Sequence, residues 1–243
     1  MSPMAVSWIV FTGVFCSALL GMFLQTVLPE HHLNAESRSA LNLVIGLIGT
    51  MSALVLGLLV ATAQGSYSTR NSEFTQMSAN IILMDRMLAH YGPETNHARN
   101  VLRAAVNRWL QPGFSTTGTS KGGEALYDAI QGLSPKNDAQ RTLQAQALTV
   151  AFGLGQTRWL LFEQSGSSIP VAFLVVLVFW LSVIFASFGL FSPRNMMVVI
   201  ALFIGALSVS GAIFLILELD RPFQGLVQIS DVSLRNALSQ LGK

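Results

Sequence analysis

Ala212-Ile213-Phe214-Leu215-Ile216-Leu217-Glu218-Leu219-Asp220-Arg221-Pro222-Phe223-Gln224-Gly225 joins a long apolar run to two acids, an arginine and a proline. Upstream, Asn195 to Leu217 contains no Asp, Glu, Lys or Arg over about 23 residues. At about 1.5 Å per residue, that is enough helix to cross the hydrocarbon core of a bilayer. Pro222 disfavours helical geometry at Arg221 and removes a backbone donor, so the helix stops here. The acids admit two readings. Glu218 and Arg221 can pair at i,i+3 and solvate an ordinary interfacial helix end. Alternatively, Glu218 lies on a surface that ions meet, because an acid next to hydrocarbon faces protein interior or water.

Composition selects the same class. The chain has 243 residues, 51% apolar and only 11% charged, with a mean hydropathy of +0.54. Soluble domains carry about 25% charge, so this composition describes an integral membrane protein. Fourteen basic against twelve acidic side chains leave a net charge of +2, which gives no reason to expect a nucleic-acid partner. The single cysteine, Cys16, sits in an apolar run and is expected to be a small buried hydrophobe.

Taken in order, the chain divides as follows. Residues 1–28 read as a first membrane helix that lacks the basic start of a signal peptide. The turn Pro29 to Arg38 carries His31 and His32, which point apart on an extended chain and make poor joint metal ligands. Residues 40–63 form a second apolar helix rich in small residues. Its Gly46, Thr50, Ala53, Gly57 and Ala61 fall on one face, suited to the close approach of another helix.

Residues 64–168 read as a helical domain with nine basic and seven acidic side chains. Phe74, Met77, Ile81, Met84, Leu88 and Tyr91 give a first amphipathic helix that ends at Gly92-Pro93, with Asn71, Thr75, Ser78 and Asp85 on a solvated face. A second helix spans about Glu94 to Leu110, with Val101, Leu102, Ala105 and Trp109 inward and Arg99 and Arg103 pointing elsewhere. Gln111 to Gly123 read as a loop. Ser134-Pro135 suggests the start of a third helix over about Lys136 to Glu163, striped by Leu143, Ala147, Val150, Leu154 and Leu161.

Residues 169–191 and 195–217 are the third and fourth membrane helices, joined by the short hairpin Ser192-Pro193-Arg194. Residues 218–243 hold the terminal motif and a tail in which Ser230-Asp231 can cap a last helix bearing Leu234, Leu238 and Leu241. Four spans put both termini and the helical domain on one side. Near helix ends that side has Arg70, Arg158, Arg221 and Arg235 against Arg38 and Arg194, which leans it toward the cytoplasm of an inner membrane.

The run from Leu217 to Gly225 resembles the signature of a bacterial bestrophin-like domain family, and the likeness extends from about Leu43 to the C-terminus. It is also similar, more distantly, to the acid-then-Pro-Phe-Gly element after the last membrane helix of bestrophins. That resemblance implies a pentameric ion channel with four membrane helices per subunit. It marks Glu218, Asp220, Arg221, Pro222, Phe223 and Gly225 as a structural or ion-facing motif. In bestrophins the second membrane helix supplies the hydrophobic constriction, just before a Gly and a Ser-Tyr segment. Matching Gly57 makes Thr50, Leu54 and Leu58 pore-facing, whereas matching Ser66-Tyr67 makes Ala53, Gly57 and Ala61 pore-facing. Neither register puts an aromatic at the neck, unlike the bestrophin pattern.

Catalytic chemistry finds little support. His90 and His97 flank Gly92-Pro93 and share no helical face, and neither Gly-x-Ser-x-Gly nor His-Glu-x-x-His occurs. The expectation is therefore an all-α integral membrane protein, four membrane helices with a helical cytoplasmic domain inserted between the second and third, in a bestrophin-like oligomer. It needs no enzyme activity, cofactor or metal, and its partners are membrane lipid, inorganic ions and other copies of itself. A non-conducting scaffold or sensor whose cytoplasmic helices bind a partner is the alternative.

Overall fold

A computed structural model describes residues 2–27, 35–110, 121–163, 169–220, 225 and 227–242. Among them every regular element is helical: α1 (Pro3–Val27), α2 (Ala35–Tyr91), a 3-10 turn (Pro93–Thr95), α3 (Asn96–Trp109), α4 (Lys121–Gln131), α5 (Asp138–Glu163), α6 (Val171–Phe191), α7 (Met196–Leu219) and α8 (Val232–Gln240). Four of them, α1, α2, α6 and α7, are long and apolar enough to cross a membrane. The histidines of the 29–34 turn, residues 111–120 of the expected loop, and Arg221, Pro222 and Phe223 lie outside the described residues.

One expectation changes at α2. A boundary at residue 64 followed a shift in composition, yet the helix runs unbroken for 57 residues. No proline interrupts Ala61 to Arg70, and Ala, Gln, Ser, Thr and Tyr can all continue a helix where the surroundings change from apolar to polar. The chain nevertheless forms two compact units, which divide at Ser66 and Tyr67.

In the first unit α1 packs on both α6 and α7. Its core joins Val10, Val14 and Ala18 of α1, Leu59 and Ala63 of α2, Leu177 and Phe185 of α6, and Leu202, Ala206, Ile213 and Ile216 of α7. Lipid gives apolar side chains no reason to associate, so contact depends on close backbone approach and buried hydrogen bonds. Both are present. A Cβ on Gly21 would lie 2.8 Å from the carbonyl carbon of Ala186, and one on Gly189 would lie 3.0 Å from that of Ala18, so only glycine fits at either place. Ser210 donates to the Ser7 carbonyl at 2.6 Å in the interior. The Phe203 ring meets Phe11 and Phe15 edge-on at 5.4 and 5.6 Å. At the α6–α7 hairpin, Asn195 caps α7 by accepting from Val198 N at 2.9 Å, and Arg194 donates to the Met22 carbonyl. Cys16, expected inside, is exposed on α1. A helix that spans lipid is apolar all round, so an apolar setting in sequence does not distinguish core from lipid face.

The second unit holds residues 67–91 of α2 with α3, α4, α5 and α8. Met77, Ile81, Met84, Leu88, Leu102, Ile130, Ala147, Leu154, Leu234, Ala237 and Leu241 form its core. Side chains close the helix ends. Gly92, at φ +133°, makes a turn that other residues rarely adopt, and Thr95 then donates to the Leu88 carbonyl at 2.6 Å. Gln144 donates to Ile130 and Leu133 carbonyls at the end of α4, at 3.0 and 2.9 Å.

Two expected boundaries move. The helix expected from about Lys136, α5, begins at Asp138, because Asn137 accepts from Gln140 N at 2.8 Å while Gln140 reaches back to accept from Lys136 N at 2.7 Å. That reciprocal cap displaces the Ser134-Pro135 start. Lys121, Gly122 and Gly123, read as loop, open α4 instead, since Leu126 and Ile130 give this short helix a face to bury.

Asp85, read as solvated, is only 2% exposed, and Ser78, two turns earlier on the same helix, is buried as well. The Asp85 carboxylate accepts two hydrogen bonds from Arg99, both at 2.8 Å, and a third from the Gly242 backbone N–H at 3.2 Å. One turn along α3, Arg103 donates to the Leu241 carbonyl at 3.1 Å. Both arginines therefore secure the segment that follows α8. Burial alone would raise the Asp85 pKa, but hydrogen bonds from Arg99 and Gly242 and the nearby charges of Arg99 and Arg86 outweigh it, so the carboxyl titrates below its ordinary value.

Candidate functional site

Helix α2 in the first unit has two distinct faces. Ser52, Leu59 and Ala63 are buried, and Val55 and Leu56 are packed beside them, a recurrence of three and four that points one stripe into the core of its own chain. The candidate pore residues Thr50, Ala53, Leu54, Gly57, Leu58 and Ala61 are all exposed. At about 100° per residue, Thr50, Leu54, Gly57 and Ala61 lie directly opposite the packed stripe, while Ala53 and Leu58 flank them. Both registers thus fall on one outward surface, a Gly, Thr, Ala and Leu face.

Among the described residues, no close-packed partner meets the glycines of this helix. A Cβ placed on Gly46, Gly49 or Gly57 would meet no atom within 4 Å. Close packing falls to α1 and α6 at Gly21 and Gly189, a pairing that the sequence reading missed. Its signal was present: Ala18 with Gly21 and Ala186 with Gly189 put two small residues at i,i+3 on each helix.

The terminal motif begins inside α7, not beyond it. Glu218 is a helical residue, 3% exposed, and Asp220 is the C-cap, 1% exposed. Gly225 lies against Glu218. A Cβ there would stand 2.7 Å from the Glu218 carboxyl carbon. Glycine at 225 therefore has a steric reason: seven residues on, the backbone comes up against the buried carboxylate. Gly225→Ala is expected to push Glu218 from its place and destabilise the protein by about 1–3 kcal/mol. Thermal melts of the detergent-solubilised protein measure this, and an unchanged melt would show that the carboxylate can move aside freely.

The acids at the end of α7 are enclosed, and of the six candidate residues on α2 Thr50 carries the hydroxyl, which donates to the Leu47 carbonyl at 2.8 Å. Such a surface can contact a second copy of the helix or border a narrow path.

A family model described as a Bestrophin-like domain matches residues 12–234. No curated protein matches the chain, and neither does any solved structure. The match runs from within α1 to within α8, across all four apolar helices and the second helical unit, and the chain therefore belongs to the Bestrophin-like domain family.

Proposed function

We propose that this protein is a homo-oligomeric ion channel of a bacterial inner membrane, with five subunits, a cytoplasmic helical unit and the outward face of α2 lining the conduction path. The observation that carries this reading is the position of Thr50, Leu54, Gly57 and Ala61 opposite the stripe that α2 buries in its own chain. A lipid-facing helix gains from bulky apolar side chains, whereas small residues expose backbone and suit a nearby helix or a water-filled axis. Family membership supports the same assignment. In this reading Glu218 and Asp220 hold the end of α7 rather than meet ions, because both are enclosed within the protomer.

Ion flux from liposomes containing the purified oligomer tests the proposal. Wild-type protein is expected to carry flux above that of protein-free vesicles. Gly57→Trp should abolish flux while leaving the protomer folded, since a Cβ at 57 meets no described atom within 4 Å and the residue is exposed. Absence of flux across pH and calcium conditions would favour a non-conducting scaffold, and a mass of one or two subunits in mild detergent would overturn the assembly.

A further inference from the structure

Between α3, α4 and α5 the helical unit contains a cavity of about 430 Å³, within the size range of small-ligand sites, about 300–1,000 Å³. Its floor is apolar and buried: Ala105, Leu126 and Leu154 are 1%, 3% and 2% exposed. Its walls are aromatic, with Trp109, Tyr127, Phe152 and Trp159, and Phe152 and Trp159 remain 70% and 53% exposed. Glycines keep it open, since a Cβ on Gly123 or Gly155 would meet no atom within 4 Å.

Charge narrows the class of occupant. Arg158 lines the cavity, and Arg108 lies over another lining residue, Gly122, where an added Cβ would stand 3.0 Å from its Nη2. Burial first, and then the neighbouring charge of Arg108, depress the Arg158 guanidinium below the usual arginine range. Glu124 also borders the cavity, but it is exposed. One guanidinium on the lining, Arg158, and another over the lining residue Gly122, Arg108, set basic groups at an apolar, aromatic slot and complement a molecule with an anionic head and a hydrocarbon tail. The head can accept from either arginine, and the tail can cover the rings.

We propose that this cavity binds a single-chain anionic amphiphile, a fatty carboxylate, with the carboxylate at Arg108 and Arg158 and the chain along Trp109, Tyr127 and Phe152. This site lies wholly within the helical unit and does not depend on ion conduction.

The test uses the full-length protein in vesicles of zwitterionic lipid, in a Trp8→Phe, Trp180→Phe background, so that fluorescence comes from Trp109 and Trp159. Brominated dodecanoate is expected to quench that emission saturably, and brominated dodecanol should bind at least about tenfold more weakly, the loss of one charge-assisted hydrogen bond. Arg158→Gln should erase the preference for the carboxylate, and Gly155→Leu should fill the slot and abolish saturable quenching with helicity unchanged. Equal quenching by acid and alcohol, unaffected by Arg158→Gln, would mean simple partitioning into the bilayer and would overturn the proposal. So would an absence of quenching together with protection of Trp159 from aqueous acrylamide, which would show a neighbouring copy covering the face. Arg158→Gln at the cavity edge carries the test alone if Gly155→Leu does not fold.

Discussion

Gly189→Val is expected to separate α1 from α6 and to lower the stability of the membrane unit by about 3 kcal/mol, near the upper end for an overpacked contact. The clash is backbone against backbone. The added carbon would meet the carbonyl of Ala18 and lie 3.0 Å from Met22 N, and neither atom can rotate away as a side chain could. The reciprocal change, Gly21→Val, should act alike, because its Cβ would lie 3.0 Å from Leu190 N as well as against Ala186. Combining the two should cost less than their sum, since the first already parts the helices. The measurement is the temperature at which the solubilised protein loses its monodisperse elution peak. Gly49→Val is the control: an added Cβ there would meet no described atom within 4 Å, so the protomer should tolerate it. If Gly189→Val elutes and melts like wild type, the α1–α6 packing described above is wrong.

Arg99→Gln should destabilise the helical unit by about 3 kcal/mol, because it strands a carboxylate whose side chain is only 3% exposed. Asp85→Asn should cost less, since the remaining Arg99 side chain is 20% exposed and can turn toward water. The double variant should recover part of the loss. The pH dependence has a definite sign. The Asp85 pKa is lowered in the folded protein from an ordinary value of 3.8, so its ionised form adds stability above about pH 4 and loses that contribution as pH falls toward the folded value. The gap between wild type and Asp85→Asn is therefore expected to stay constant above about pH 5 and to narrow below about pH 4. Denaturant melts across that range measure it, and a gap that widens in acid would contradict the pairing.

The contrast between Asp85 and its neighbours shows what a sequence reveals and what it hides. The stripe through Met77, Ile81, Met84 and Leu88 was legible because helical periodicity repeats within one segment, and all four residues are buried. Asp85 falls on that stripe, four residues after Ile81 and three before Leu88. Its charge suggested solvent only because Arg99 and Gly242, which offset its burial, are supplied by other segments. The four apolar helices were legible for a simpler reason: each is a long run nearly free of charge. Helix α4 was not, since a Gly-Gly pair near its start resembles a loop and its eleven residues bury only one face. The six candidates on α2 came from a resemblance in two registers, and periodicity could not choose between them, because it fixes which residues share a side and leaves open which side meets the chain's own core.

The order in which a ribosome delivers these segments gives the Asp85 site a further consequence. Leu234, Ala237 and Leu241 complete the core of the helical unit, and Gly242 completes the ligands of Asp85, yet all four follow α6 and α7 in the chain. Synthesis runs from the N-terminus at about 5–20 residues per second. Met77, Leu102 and Leu154 are therefore added to the chain before the last two apolar helices, and the α8 residues that complete their core after them. Their closure spans 157 residues between Gly242 and Asp85, and such distant pairing carries a chain-closure cost that adjacent helices do not face. The helical unit is thus begun early and finished late, its final fit deferred until the membrane helices that interrupt it have been translated.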